Sequence, residues 1–471
     1  MSETAYFARF PNELHDRLDE NYNNPKYDEI ELLSSRARFS QVLLGRGIKD
    51  LNEQFLLNIT SGKTPENIRY VETGIPFIGA TSVRDERINL ELAPRITREA
   101  HETTLKGSQI KNNDVLITIA GFYIGRCAPY LENGECNANQ AIAILRPNPD
   151  NLVPKFLAKY YNSYFAQLYF GKLKHISGQP NINLEEILEI PVIAPPRATQ
   201  ESILSKIEPI EKEATRKELL VEKKLLEIDS LIMDELGFTI PKLDKNDYYS
   251  ILPGEAGERL DFSFNAPHYR QLDRVSLSCK YPFRNLSPPL VQCSNETTNP
   301  LERPEDTFSY VDIGNIDTRW GRIKAEPMFG KDATSSRVRR VMRKGQLLVS
   351  TTRPTRKAIT VVPEELDGQV CSTGFAVLNC LDDIDSRYLF HVLRSELMRY
   401  QLERFASGSS YPEINKEKDL PLVKVPVPPK PIQEALVERI ERAQSDAESL
   451  SAEADIEWNK ARNTFDEALI A

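Results

Sequence analysis

Residues 17–27 read RLDENYNNPKY, and residues 259–269 read RLDFSFNAPHY. Arg17-Leu18-Asp19, Asn23, Pro25 and Tyr27 return as Arg259-Leu260-Asp261, Asn265, Pro267 and Tyr269, all at a constant offset of 242. The correspondence continues outward. Ile78-Gly79 matches Ile313-Gly314, Val115-Leu116-Ile117-Thr118 matches Leu347-Leu348-Val349-Ser350, and Cys136 matches Cys371. Phe156-Leu157 matches Tyr388-Leu389, and Pro180-Asn181-Ile182-Asn183 matches Pro412-Glu413-Ile414-Asn415. Pro195-Pro196 with Gln200 then matches Pro428-Pro429 with Gln433. The offset drifts only between about 242 and 232, as small loop insertions would cause. An ordered series of this length points to an internal duplication.

Each half also changes texture in one order. Short apolar runs bounded by Gly, Asn and Pro (DVLITIA; QLLVSTT) read as strands, and a proline-rich exit follows (IPVIAPP; VPVPPKP). Then come two long segments, about 198–236 and 432–469, almost free of Gly and Pro. In the second, Leu436, Ile440, Ala443, Ala447, Leu450, Ala454, Glu457, Ala461, Thr464 and Ala468 keep a 4-3 spacing, the narrow seam of a helix pair. The first has the stripe Ile203, Ile207, Ile210, Ala214, Val221, Leu225, Ile228 and Ile232, with Pro209 expected to bend it or delay its winding. At 1.5 Å per residue each makes a rod roughly 55 Å long. The narrow stripes favour pairing of the two helices over packing of each on its own domain.

The chain has 471 residues, enough for two to four folding units. Its 40% hydrophobic and 27% charged residues exclude collagen-like and wholly disordered classes. No apolar run reaches the roughly 18–20 residues that span a bilayer, and the opening MSETAYFARFPNELHD lacks the order of a secretory signal. The six cysteines form no CxxC, which fits a reduced cytoplasmic chain. A net charge of −9 argues against indiscriminate coating of nucleic acid, although local charge decides contact.

Fragments that look catalytic do not hold together. Gly62-Lys63-Thr64 resembles the end of a phosphate loop, but Leu57 stands where that loop needs glycine. Asn24-Pro25-Lys26-Tyr27 and Gly45-Arg46-Gly47 lie too close together to serve an amino-methyltransferase. The five histidines are scattered, no GxSxG occurs, and no nucleophile has an evident base. We expect no catalytic residue and no metal ligand.

One stretch is chemically distinct. From Arg319 to Lys357 there are twelve basic residues against Glu326 and Asp332, a balance of +10, with Trp320 and Phe329 interleaved. Lys and Arg so placed neutralise phosphates, and Arg forks read guanine edges in the major groove. The bland alternative is a solvated basic face. The matching part of the first half is weaker, with Arg84, Arg87, Arg95, Arg98, Lys106, Lys111 and Arg126 facing six acids.

The chain resembles the DNA-specificity subunit of type I restriction-modification systems. Ile59-Thr60-Ser61-Gly62-Lys63-Thr64-Pro65 and Gly74-Ile75-Pro76-Phe77-Ile78 are similar to the opening of that family's target recognition domain. Asp114-Val115-Leu116-Ile117, Gly121, Ile124-Gly125-Arg126, Asn139-Gln140 and Arg146-Pro147 are similar to its central signature, and Ile190-Pro191 through Gln200 to its exit into a helix. The second half lacks the Gly-Lys-Thr-Pro segment and has Gly374-Phe375 in place of the Asn-Gln pair.

The resemblance implies an α+β chain of two tandem target recognition domains, 1–196 and 259–430. Each is followed by a spacer helix, 197–237 and 431–471, with a linker at 238–258, and the helices pair as an antiparallel coiled coil. It implies a non-catalytic reader of a bipartite double-stranded DNA target, part of a cytoplasmic defence against foreign DNA. Two modification subunits that methylate adenine dock on it, and the family also admits a motor-nuclease restriction subunit. Methyl donor, nucleotide and magnesium belong to those partners. A fused restriction-modification enzyme and a two-repeat scaffold that binds no DNA are the alternatives. The DNA-contact candidates are Lys106, Phe122, Tyr123 and Arg126 in the first half and Arg337, Arg339, Arg340, Arg353, Arg356 and Lys357 in the second. Arg126 equally suits a role bracing its loop, while Ser177-Gly178-Gln179 and Ser407-Gly408-Ser409 read as structural turns. The seam candidates are Ile203, Ile207, Ile210 and Ile228 with Leu436, Ile440, Ala443, Ala447 and Leu450.

Overall fold

The computed structural model describes residues 24–44, 55–84, 86–175, 180–240, 243, 250, 263–408 and 411–470. Arg17-Leu18-Asp19, Arg259-Leu260-Asp261, Gly45-Arg46-Gly47, Ser177-Gly178-Gln179, Ser409 and most of 238–258 lie outside them. The chain divides into two compact units. The first lobe comprises residues 4–216 with 453–471, and the second comprises 217–452.

In the first lobe the strands that matter are β1 (Leu56–Ser61), β2 (Ile75–Ile78), β3 (Gln109–Ile110), β4 (Val115–Thr118), β5 (Cys127–Pro129), β6 (Cys136–Ala138) and β7 (Ile142–Pro147). Helices α1 (Pro154–Asn162) and α2 (Tyr164–Leu173) follow, then the long α3 (Arg197–Leu236). One sheet has the order β5-β4-β7-β1, all antiparallel. A second carries β2 beside β6 in parallel and β6 beside β3 in antiparallel.

The second lobe has β8 (Val291–Cys293), β9 (Thr307–Val311), β10 (Val338–Val341), β11 (Leu347–Ser350), β12 (Ile359–Val361), β13 (Val370–Ser372) and β14 (Phe375–Cys380). The helices that matter here are α4 (Ser386–Arg394), α5 (Glu396–Phe405) and the long α6 (Lys430–Leu469). Its sheets run β12-β11-β14-β8, and β9 parallel to β13 with β10 antiparallel beyond. The strand order is that of the first lobe. The registers agree too, with Leu116 opposite Ala128 and Ile144, and Leu348 opposite Thr360 and Val377.

The apolar run of β4 explains its place. All four residues are buried, and because successive side chains face opposite ways, Val115 and Ile117 join a core with the helices while Leu116 joins one with the second sheet. Leu347 and Val349 likewise face the helices and Leu348 the other sheet. A strand covered on both sides has to be hydrophobic throughout. All six cysteines are free.

The two long helices are fastened by one device. Gln200 is fully buried in the first turn of α3. Its Oε1 accepts from the Val153 amide (2.9 Å), and its Nε2 donates to the Asn151 and Pro195 carbonyls (2.8 Å each). Gln433 does the same in α6, accepting from the Asp385 amide and donating to the Asp383 and Pro428 carbonyls. A buried amide with both ends satisfied holds a helix start firmly.

α3 is continuous from Arg197 through Pro209, so its winding is not delayed there as expected. The Pro209 ring and Ser205, whose carbonyl loses its partner, both lie on the exposed face, where water supplies the missing bond. Of the seam candidates, Ile203, Ile207, Leu436, Ile440, Ala443 and Ala447 are buried, while Ile210, Ile228 and Leu450 are half-buried. Late in α6 the buried positions are Ala461, Phe465 and Leu469, instead of Thr464 and Ala468. Phe465 packs on Phe156 of α1 (centroids 5.3 Å apart), so this end serves the globular core and follows the natural helical drift rather than a strict 3.5 period. Each lobe's core takes residues from both long helices: Ile203, Ile207, Phe465 and Leu469 in the first, Ile232, Leu236, Leu436 and Ile440 in the second.

Candidate nucleic-acid interface

In each lobe three connections meet at one end of the sheets. In the second they are the β11–β12 loop (351–358), the β13–β14 turn at Thr373-Gly374, and the chain after α5. The Thr351 amide donates to the Gly374 carbonyl (2.9 Å), Ile414 to Thr351 (2.9 Å), Arg353 to Pro412 (2.7 Å) and Thr373 to Arg337 (2.9 Å). Arg337, which leads into β10, is thus tied to the β13–β14 turn, and Arg353 to the chain after α5. The first lobe repeats the pattern, with Ile119 donating to Ala141 (2.8 Å), Ile182 to Ile119 (3.0 Å) and Gly121 to Pro180 (2.9 Å).

The loops share a backbone and differ in side chains. Gly121 and Gly125 have φ of 93° and 88°, and their counterparts Arg353 and Lys357 have φ of 49° and 58°. Left-handed backbone is costless for glycine and strained for arginine and lysine, and strain of this kind collects at functional sites. The second lobe keeps cationic side chains there in spite of that cost.

Arg353 lies over the ring of exposed Tyr411, 4.4 Å from its centroid. Arg337, Arg339 and Arg356 are exposed and enter no ion pair among the described residues. Arg340 is committed inward, its Nη1 donating to the Ser294 carbonyl (2.5 Å) and to Asn295 Oδ1 (3.1 Å). Lys357 faces Glu396 at 3.9 Å. Arg319, Arg322, Arg343 and Lys344 are paired with Glu222, Glu448, Glu296 and Glu364. Part of the +10 of this stretch is therefore met within the lobe, and Lys324 and Lys331, like Arg337, Arg339 and Arg356, are exposed and enter no ion pair among the described residues.

In the first lobe Phe122 stands 90% exposed at the loop tip. Tyr123 meets it edge-on (5.2 Å), and Arg126 lies over the Tyr123 ring at 4.0 Å. Lys106 is exposed on the turn leading into β3, the strand that corresponds to β10. Gly62 has a structural reason: a Cβ there would stand 2.0 Å from the Asn139 carbonyl oxygen, because the end of β1 abuts the β6–β7 turn.

Two contributors escaped the sequence reading. Tyr411 and Lys416 come from the chain after α5, outside the basic stretch, and Lys416 donates to the Thr373 carbonyl of the shared turn. Burial, with Arg340 nearby, holds the Lys416 amine below its usual pKa. Only the return of this segment to the β11–β12 loop gives them meaning. Among the described residues no group of His, Cys, Asp and Glu could hold a metal ion, and no helix is long and apolar enough to cross a membrane.

Residues 49–223 match the family model described as the type I restriction modification DNA specificity domain. The type I restriction enzyme EcoBI specificity subunit of Escherichia coli is 25% identical over 189 residues, covering 39% of this chain. The chain spans about 40% of the length of that relative. Among solved structures, the HsdS subunit from Thermoanaerobacter tengcongensis is 15% identical (92% of this chain, 96% of that one, TM-score 0.32). The S subunit of the type I system from M. genitalium is 12% identical (92% and 97%, TM-score 0.40). Residues 49–223 are thus similar to the type I restriction modification DNA specificity domain, and part of the chain is similar to a specificity subunit of such a system.

Proposed function

We propose that this chain is the sequence-reading subunit of a type I restriction-modification complex. Each lobe, built on a target recognition domain (1–196 and 259–430), reads one half of a bipartite double-stranded DNA target. The observation that carries this is the matched convergence of three connections in both lobes, one presenting Arg337, Arg353 and Arg356 and the other Phe122, Tyr123 and Arg126. Rigid backbone with variable side chains at one spot is how one fold serves different DNA sequences.

The long helices act as an antiparallel strut that sets the distance between half-sites. Two ion pairs in the second lobe support the antiparallel sense: Lys224 with Asp446 (3.6 Å) and Glu235 with Arg439 (3.1 Å), partner numbers falling as residue numbers rise. Two modification subunits dock on this frame, and a motor-nuclease subunit joins them where cleavage occurs. The chain itself performs no chemistry; methyl donor, nucleotide and magnesium are handled by the partners. The test is a duplex-binding assay with the modification subunits present, comparing wild type with Arg353→Gly/Arg356→Ala. Loss of about tenfold or more in affinity for the selected duplex is expected. Unchanged affinity and salt dependence would remove the second lobe's loop from the interface.

A further inference from the structure

We infer that the two lobes hold DNA by different physics: the Arg353–Arg356 loop of the second by neutralising phosphates, and the loop of the first by stacking Phe122 against the bases. This rests on the DNA-reading function proposed above.

The loops occupy one position in the fold and have opposite chemistry. The second reads Arg353-Pro354-Thr355-Arg356-Lys357, with no aromatic residue of its own. Its Arg356 is exposed, and Arg353 is braced against Tyr411, which fixes the direction of its guanidinium. A braced cation and an exposed one on the same loop displace condensed counterions when phosphates meet them.

The first reads Gly121-Phe122-Tyr123-Ile124-Gly125-Arg126, with one cation. That cation lies over the Tyr123 ring, and its backbone is held as well, since the Arg126 carbonyl accepts from Thr118 (2.9 Å) and its amide donates to Tyr123 (3.2 Å). The Gly125 amide donates to Thr118 (2.9 Å), and a Cβ on Gly125 would stand 2.9 Å from the Phe170 ring. The loop is therefore clamped at both ends and backed by a Tyr–Arg stack, and Phe122 is the group it presents outward. The Phe122 ring touches Tyr123 edge-on and is otherwise open to water, so it adds little to the folded core. Against a duplex it can stack on bases or wedge a step open, a contact that releases no counterions.

The test uses the full chain with its modification subunits and the duplex they select from a random-sequence pool, substituted with 2-aminopurine at each position in turn. Wild type should brighten the probe at a step within the half-site protected by the first lobe. Phe122→Ala should abolish that signal while leaving the slope of log affinity against log salt unchanged, and Phe122→Trp should restore it. Arg353→Gly/Arg356→Ala should keep the signal and flatten the slope by about 2, from roughly 0.9 per phosphate contact. A Phe122→Ala complex that brightens every position as wild type does overturns the inference, as does a double variant with an unchanged slope. If wild type selects no duplex at all, the DNA-reading function falls, and this inference with it.

Discussion

At equivalent positions the first lobe uses charge where the second uses neutral groups. Fully buried Asp114 accepts both Nε and Nη2 of Arg146 (2.8 Å each). The second lobe has Gln346 donating to Asn379 (2.9 Å) in the same two strands. Lys159 of α1 is buried between Glu86 and Glu211, whereas α4 has His391 there, with Gly321 and Gln444 in place of the acids. Burial, helped by Arg394 and Arg387, pushes the His391 imidazole down to about 3, so it is uncharged at neutral pH. The space left is a cavity of about 380 Å³ lined by Trp320, His391 and Gln444. At the candidate interface the asymmetry reverses, and the second lobe is the cationic one. Topology and backbone bonding are shared, while interior and surface chemistry have separated independently.

The sharpest break in that comparison is Asp114→Ala. It leaves Arg146 without its carboxylate in a mostly buried site and should cost about 3 kcal/mol. Gln346→Ala, which removes neutral bonds, should cost about 1–2 kcal/mol. Urea unfolding followed by hydrogen exchange in each lobe reads both; equal losses would mean that the charge of the first pair does not matter. The pair Asp114→Gln/Arg146→Asn, copying the second lobe, should recover most of the loss.

Where the lobes agree, mutations should agree. Gln200→Ala and Gln433→Ala each strand one amide and two carbonyls and should each cost about 2–3 kcal/mol, within error of one another. A large difference in the same unfolding assay would show that one helix start is held by something besides this amide.

Asp466 gives a pH-dependent contrast. Burial raises its carboxyl to about 6, although the Tyr164 amide and Arg462 pull it down. A group raised in the folded state supports the fold below its unfolded pKa, near 3.8, and loses that support as pH rises through 6. Asp466→Asn should therefore stabilise the first lobe by about 1–2 kcal/mol at pH 8 and do nothing at pH 4. Met233 holds the corresponding place in the second lobe, so a substitution there should show no such dependence. Thermal melts at the two pH values decide it.

The smallest effect concerns backbone strain. Arg353→Gly should raise stability by about 0.5–1 kcal/mol, since φ of 49° suits glycine, while weakening binding to duplex. A variant that is both less stable and unchanged in binding would show that Arg353 is there for packing.

Much of this was legible in the residues because it depends on local pattern. The match of Val115–Thr118 with Leu347–Ser350 reflects two strands buried on both faces, and the paired glutamines mark two helix starts. The order of the second sheet, with parallel neighbours β2 and β6, joins residues about sixty apart and leaves no periodic trace. Charge counting along Arg319–Lys357 could not reveal that Glu222 and Glu448, distant in sequence, already face two of its arginines. Phe465 broke the heptad because its partner is Phe156, on another element.

The first lobe's core is completed by Phe465 and Leu469, from the far end of the chain. The Arg38 amide donates to the Leu469 carbonyl (2.8 Å), and Ala37 bridges to Ile470. Any continuous stretch that contains that core in its natural order therefore runs from about residue 37 to residue 470. The smallest continuous polypeptide that contains it is a permuted one, in which residues 453–470 come first and are joined by a short linker to residues 24–216.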